Sequence, residues 1–130
     1  MTDGYTEYFS QGCDYNGQLG HGQDPSQHDR NRHVNTPKSL SFDILIREVS
    51  CGGAHTLILS KQGELFSIGS NEYGQLGLND RQLTFTTAPL LIQEIQSKSL
   101  RVKQLASGQS HSLVLTDDGK IFSWGSNIYG

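Results

Sequence analysis

The sequence predicts an all-β protein built from repeated small antiparallel sheets, and three observations support this fold class. Glycine makes up 15 of the 130 residues, about 11.5 %, whereas its usual share is about 7 %. Because glycine inside an element costs roughly 0.5–1 kcal/mol relative to alanine, this surplus favours short elements joined by tight turns over long helices. The other two observations are an internal repeat and uninterrupted apolar runs within its strands.

The repeat is visible by direct comparison of the sequence with itself. Residues 49–57 recur as residues 105–113, an offset of 56, and the same offset places Gly63 on Gly119. A third copy lies upstream at an offset of 57, where residues 17–20 match residues 74–77. A period in the fifties is typical of an array of β units.

We therefore assign residues 6–130 to repeats. A partial first repeat covers residues 6–48, the second covers residues 49–104, and the third covers residues 105–130 and stops inside its last turn. A polar insertion at residues 23–36 distinguishes the first repeat from the second.

The second repeat predicts a chain of short strands. Residues 46–50 form a β-prone run, and the glycines at 52–53 allow a sharp reversal because glycine tolerates positive φ. Residues 55–60 and 64–68 are predicted to pair around a hairpin loop at 61–63, which has glycine late in the turn.

The same pattern continues in the third repeat and at the repeat ends. Residues 111–116 and 120–124 are predicted to pair around a loop at 117–119. A further strand is predicted at 89–92, with a weaker counterpart at 37–40.

The apolar pattern indicates how these sheets pack. Leu57, Ile58 and Leu59 are consecutive, as are the apolar residues 113–115, whereas a sheet with one wet face alternates apolar and polar residues. Both faces of each hairpin should therefore be buried, as in a radial array in which each sheet lies between its neighbours. A closed sandwich core is the competing explanation, but it does not predict the long period.

Composition excludes several classes of protein. Ten Lys and Arg against 13 Asp and Glu give a net charge of −3, so the chain has no excess of positive charge of the kind that binds nucleic acid. No apolar run reaches the 18 or more residues of a membrane span, and no signal peptide is visible at the N-terminus. These features predict an intracellular protein, cytoplasmic or nuclear, with neither a membrane nor a nucleic acid as its partner.

Residues that suggest chemistry have simpler structural explanations. His55 and His111 occupy the same repeat position, so we expect a neutral imidazole that bonds two backbone groups beside a glycine turn. Cys13 and Cys51 do not have metal-site spacing and are predicted to be small buried side chains.

The sequence also lacks the motifs of enzymes. Residues 17–22 lack the Lys-(Ser/Thr) ending of a phosphate-binding loop, and no Gly-x-Ser-x-Gly elbow is present. We predict no catalytic residue, no metal and no cofactor.

In order along the chain, the repeat joins a Gly-x-x-His-(Ser/Thr) segment, a hairpin glycine, an aromatic strand ending in glycine, and a Gly-Gln-Leu-Gly turn. This string resembles the repeat of the regulator of chromosome condensation family. The resemblance implies a β-propeller of seven four-stranded blades, of which about two to two-and-a-half are present here as an incomplete ring. The structural repeat positions are Gly52, His55, Gly63, Gly69, Gly74, Gly77, Gly108, His111, Gly119 and Gly125.

The resemblance implies a noncatalytic protein-interaction scaffold, present as a fragment of a larger protein. Three alternatives stay open. They are guanine nucleotide exchange on a small GTPase such as Ran, a structural subunit of a ciliary or chromatin assembly, and the regulatory propeller of a HECT-type ubiquitin ligase. A ciliary location follows from the second of these.

Binding specificity should lie in the stretches outside the repeat, because loops on a rigid scaffold carry binding. The insertion at 23–36 holds His28, Arg30, Arg32 and His33, and it is either a solvated loop or a contact surface for an acidic partner. Phe85, within residues 83–87, is a candidate for an exposed anchor residue. Residues 97–103 are a weaker basic candidate.

Overall fold

The computed structural model describes residues 9–13, 33–39 and 44–127. Short strands follow one another along these ranges, interrupted by one short helix. The order is β1 (Phe9–Cys13), β2 (His33–Ser39), β3 (Ile46–Cys51), β4 (His55–Ser60), β5 (Leu65–Ser70), β6 (Phe85–Leu91), α1 (Gln93–Ser97), β7 (Val102–Ser107), β8 (His111–Thr116) and β9 (Ile121–Gly125).

These strands form three antiparallel sheets, with orders β1–β2, β3–β4–β5–β6 and β7–β8–β9. The second and third sheets have the same register at an offset of 56 residues. His55 lies opposite Gly69 in one sheet, and His111 lies opposite Gly125 in the other. The predicted all-β class is therefore confirmed. The described sheets amount to about two blades and do not close a ring.

The hairpins form where the sequence predicts them. Strands β4 and β8 have the predicted bounds, and the loops that follow them contain Gly63 at φ +87° and Gly119 at φ +83°. Positive φ strains residues with a Cβ, which explains why glycine stands late in each loop.

Other elements differ from the prediction. Strand β6 begins at Phe85, ahead of the predicted residues 89–92, because Phe85 pairs with Ser70 at the far end of β5. Strand β2 begins at His33, inside the polar insertion, because Cys13 of β1 extends the pairing to that residue. The helix α1 was not predicted.

The core lies between the second and third sheets. Leu57, Leu59 and Leu65 of the second sheet pack with Val102 and Val114 of the third. Isoleucines of the α1 segment, Ile92 and Ile95, join the same cluster, so the helix covers one edge of the core.

The predicted burial of both hairpin faces holds for the second sheet, where Leu57, Ile58 and Leu59 are 0 %, 2 % and 0 % exposed. In β8, Val114 is buried but Leu113 and Leu115 are only half-buried. The third sheet is therefore covered on one face only among the described residues.

The prediction that Cys51 is buried is wrong. Its thiol is free and exposed. Strand β3 lies at the edge of its sheet, its burial alternates from residue to residue, and Cys51 is at one of the exposed positions. The side chain of Cys13 lies outside the described residues. Within the described ranges, no helix is long and apolar enough to cross a membrane.

Candidate functional site

A chain of hydrogen bonds joins the second and third sheets through His55. The imidazole Nε2 of His55 lies 2.8 Å from the hydroxyl oxygen of Ser112 in β8. That hydroxyl donates at 2.9 Å to the backbone carbonyl of Gln75, in the turn that follows β5. His55 and Ser112 are both fully buried, so this contact lies in the interior between the two sheets. We call the hydrogen-bonded group of His55, Ser112 and Gln75, with Trp124 described below, the joint.

The geometry fixes the tautomer of His55. A serine hydroxyl has a single proton, and Ser112 donates it to the carbonyl of Gln75, so Nε2 of His55 must donate to Ser112. Nδ1 of His55 then holds a lone pair and has no partner among the described residues. The prediction that this imidazole bonds two backbone groups is therefore wrong for His55, because its Nε2 bonds a side-chain hydroxyl. Burial lowers the pKa of His55 from 6.5 to about 4; the nearby His111 ring adds to this shift, and the backbone of His111 partly opposes it.

Glycine precedes each histidine because the ring occupies the space of a side chain. A Cβ added to Gly52 would overlap Cε1 of His55 and lie 2.5 Å from the carbonyl oxygen of Gly108. Neither Gly52 nor Gly108 has a positive φ. The expectation that this reversal needs the left-handed conformation is therefore wrong, and close approach is the reason for the glycine.

The turn that supplies the Gln75 carbonyl is itself held in place. Asn71 donates through Nδ2 to the carbonyl of Leu83 at 2.8 Å and accepts at Oδ1 from the amide of Leu76 at 3.2 Å. The Ser67 hydroxyl donates to the carbonyl of Leu76 at 2.8 Å. These bonds fix the position of the acceptor on which the joint depends.

Further contacts strengthen the same joint. The indole Nε1 of Trp124 donates at 2.8 Å to the carbonyl of Gln75, which thus accepts two hydrogen bonds. The backbone amide of Gly53 donates to the carbonyl of Gln109 at 3.1 Å. Several hydrogen bonds thus join the two neighbouring sheets.

The exposed surface nearby includes an open pocket of about 530 Å³. Glu72, Arg81 and Trp124 line it, together with two carboxylates that already have partners. Asp80 accepts from backbone amides of its own loop, and Glu94 pairs with Lys98 at 2.7 Å. The pocket therefore offers surface for contact and no preformed reactive group.

The sequence-predicted contact residues are only partly described. His28, Arg30 and Arg32 lie outside the described residues, and His33 is the first residue of β2. Phe85 is half-buried and not fully exposed, because it pairs with β5 at the start of β6. Their role as partner contacts therefore stays a prediction.

The described part of the chain holds no group of three or more His, Cys, Asp or Glu that could bind a metal. Sequence reasoning missed Ser112, Gln75 and Trp124 as members of the joint. The sequence did contain a signal for Ser112, because a residue with a side-chain hydroxyl follows the histidine in both repeats. The histidine of one repeat bonds the hydroxyl of the next repeat.

Small antiparallel sheets that pack face to face and are locked at fixed repeat positions define the blades of a β-propeller. Two family models describe this repeat, both as the regulator of chromosome condensation (RCC1) repeat. One matches residues 7–59 and 62–115, and the other matches residues 46–75 and 102–130. The chain belongs to the RCC1-repeat family.

Similar proteins carry the repeat in different settings. The ultraviolet-B receptor UVR8 of Arabidopsis thaliana is 34 % identical over 125 residues, which is 95 % of this chain and 26 % of the receptor. The probable E3 ubiquitin-protein ligase HERC4 of Mus musculus is 49 % identical over 94 residues, 72 % of this chain and 8 % of the ligase.

The fold also matches solved structures. The crystal structure of Prp20p from Saccharomyces cerevisiae, a study that includes its binding to Gsp1p and histones, has a TM-score of 0.77 and 25 % identity. The match covers 92 % of this chain and 29 % of Prp20p. The chain thus spans less than a third of each of these relatives.

Proposed function

We propose that these residues are a noncatalytic protein-interaction scaffold within a larger propeller. The observation that carries this proposal is the role of His55, a buried titratable group whose pKa is strongly lowered by burial. Perturbed groups often mark active sites, but the Nε2–H of His55 is used to hold two sheets together. The repeat residues therefore build a rigid support, and the exposed side chains around it are free to contact a protein.

Cross-linking mass spectrometry on the full-length protein in its native cells tests this function. We expect the lysines that are exposed within residues 44–127, namely Lys61, Lys98, Lys103 and Lys120, to form cross-links to a second protein. Abundant cross-links within the protein without any to another protein would contradict the interaction function.

Nucleotide exchange is the rival activity, and the binding of Prp20p to Gsp1p is the observation behind it. The experiment is a nucleotide-release assay with the full-length protein and a Ran-type GTPase. We expect release no faster than in a control without the protein. Acceleration above that control would replace the scaffold function with exchange.

A second candidate is the recruiting or regulatory propeller of a ubiquitin ligase. Identity to the HERC4 ligases is 46–49 %, which exceeds the 34 % identity to UVR8. The coding sequence downstream of Gly130 tests this candidate. A ligase domain in the same reading frame would support it, whereas repeats continuing to the stop codon would contradict it.

A further inference from the structure

Two repeat-equivalent β-bulges place cations at the same position of neighbouring sheets. In the second sheet Ile46 pairs with Ser60, but the next pair is Glu48 with Leu59, so Arg47 is the extra residue. In the third sheet Val102 pairs with Thr116 and the next pair is Gln104 with Leu115, so Lys103 is the extra residue. Bulges redirect a side chain away from the ordinary alternation of a strand.

The backbone just before each bulge is held by equivalent contacts in the two sheets. The residue before each bulged cation is buried, with Ile46 5 % and Val102 1 % exposed. One residue earlier, the carbonyl of Leu45 accepts from the amide of Lys61 at 2.7 Å, and the carbonyl of Arg101 accepts from the amide of Asp117 at 2.9 Å. The hairpin of each sheet therefore fixes the start of its edge strand, and the bulged side chains project from an ordered backbone.

Arg47, Arg101 and Lys103 form what we call the cationic strip. All three side chains are exposed, and β3 packs against β7, so the strip runs across two adjacent sheets. Among residues 44–127, the carboxylates of Glu94 and Asp118 pair with Lys98 and Lys120. Neither carboxylate pairs with a member of the strip.

Exposed apolar side chains accompany the cationic strip. Leu45 and Val49, on either side of Arg47, are 42 % and 43 % exposed. A surface that combines cations with exposed apolar groups matches a ligand that combines carboxylates with apolar side chains.

We propose that the cationic strip binds an acidic segment of a partner protein, with apolar side chains of that segment contacting Leu45 and Val49. This inference rests on the proposed interaction function and adds the location and the chemistry of the partner. Complementary charge steers and selects a partner. A nucleic acid fits less well, because its affinity comes from many phosphate contacts, whereas the strip has three cations and the chain has a net charge of −3.

Fluorescence anisotropy with the full-length protein tests the proposal. The probe is a fluorescein-labelled synthetic peptide that repeats Glu-Asp-Leu, and a single-stranded DNA of equal charge is the second ligand. At about 0.1 M salt, the combined Arg47→Glu and Lys103→Glu variant should bind the peptide about tenfold more weakly. The charge-preserving Arg47→Lys and Lys103→Arg variant should bind like the natural protein.

The control must alter total charge equally at other places. Arg81→Glu with Lys120→Glu does so at two exposed residues outside the strip, and this variant should keep peptide affinity within about twofold. Equal peptide affinity of the strip variant and this control would overturn the assignment of the strip. Tighter binding of the DNA than of the peptide would overturn the choice of an acidic protein segment.

The test also separates this inference from the interaction function on which it rests. If the strip variant still forms the natural protein's cross-links to partner proteins through Lys61, Lys98 and Lys120, the proposal for the cationic strip is wrong and the interaction function stands. If the natural protein forms no such cross-links and does not bind the peptide, both proposals fail.

Discussion

At the scale of single residues, Gly52 has little room for any side chain because His55 fills the space beside it. Gly52→Ala should lower the free energy of unfolding of the full-length protein by about 1–3 kcal/mol, the cost of overpacking. The new Cβ would meet the buried ring of His55 and the backbone carbonyl of Gly108, neither of which can move freely. Chemical denaturation followed by tryptophan fluorescence measures the loss.

The repeat supplies a matched control at Gly108. The three atoms nearest its added Cβ all belong to the ring of His111, which is exposed and able to turn away. Gly108→Ala should therefore cost less than Gly52→Ala when both are measured in a truncated chain of residues 1–130. A larger loss from Gly108→Ala would contradict the packing described for His55.

A second prediction at this scale concerns pH. The pKa of His55 falls from 6.5 to about 4 on folding, so between about pH 4 and pH 6.5 the unfolded chain binds a proton that the folded chain does not. The free energy of unfolding should therefore fall as pH drops from about 6.5 to about 4, by about 3 kcal/mol in total, and level off below that range.

The substitution that isolates this effect is His55→Gln, whose amide nitrogen can donate to Ser112 without titrating. The difference in unfolding free energy between the natural protein and this variant should change across that pH range. His111→Gln should keep most of the pH dependence, because burial of His55 is the largest cause of its lowered pKa. Parallel pH profiles for the natural protein and His55→Gln would show that His55 does not titrate as described.

At the scale of elements, the joint between β4, β8 and β9 depends on one carbonyl with two donors. Ser112→Ala leaves the buried Nε2–H of His55 without an acceptor, at a cost of about 1–3 kcal/mol. Trp124→Phe removes the other donor to Gln75 and should cost about 1 kcal/mol.

The double variant should cost more than the sum of the two by about 1 kcal/mol, because only then does the Gln75 carbonyl lose both donors. A denaturation-based double-mutant cycle measures this coupling. Ser123→Ala, at an exposed position of β9, should show no coupling to Trp124→Phe. Additive losses for Ser112 and Trp124 would contradict a joint centred on one acceptor.

Elements with strong local signals were predictable from sequence, and contacts between repeats were not. Consecutive apolar residues and a late glycine located β4 and β8 at their bounds. The helix α1 has five residues and one buried side chain, Ile95, which is too short a pattern for a helical period to be recognised. The hydrogen bond between His55 and Ser112 joins residues 57 positions apart. The apolar pattern of a strand does not predict which distant residue its side chains will contact.

At the scale of the whole molecule, the second and third sheets differ in what covers them. Leu57, Leu59 and Leu65 are buried against the third sheet, whereas their equivalents Leu113 and Leu115 are half-buried and Ile121 is 67 % exposed. Because the repeat presents the same face each time, we expect a further repeat to cover this face in the full-length protein.

The last prediction therefore gives one substitution opposite effects in two contexts. In residues 1–130 alone, Ile121→Lys removes an exposed apolar group and should reduce self-association, measured by analytical ultracentrifugation. In the full-length protein the same lysine would be buried against the next blade and should cost about 2 kcal/mol or more of unfolding free energy. Leu65→Lys, at the equivalent position that is 1 % exposed, should destabilise both proteins. If Ile121→Lys is harmless in the full-length protein while Leu65→Lys is not, then the outer face of the third sheet is solvent-exposed there and the array does not continue across it.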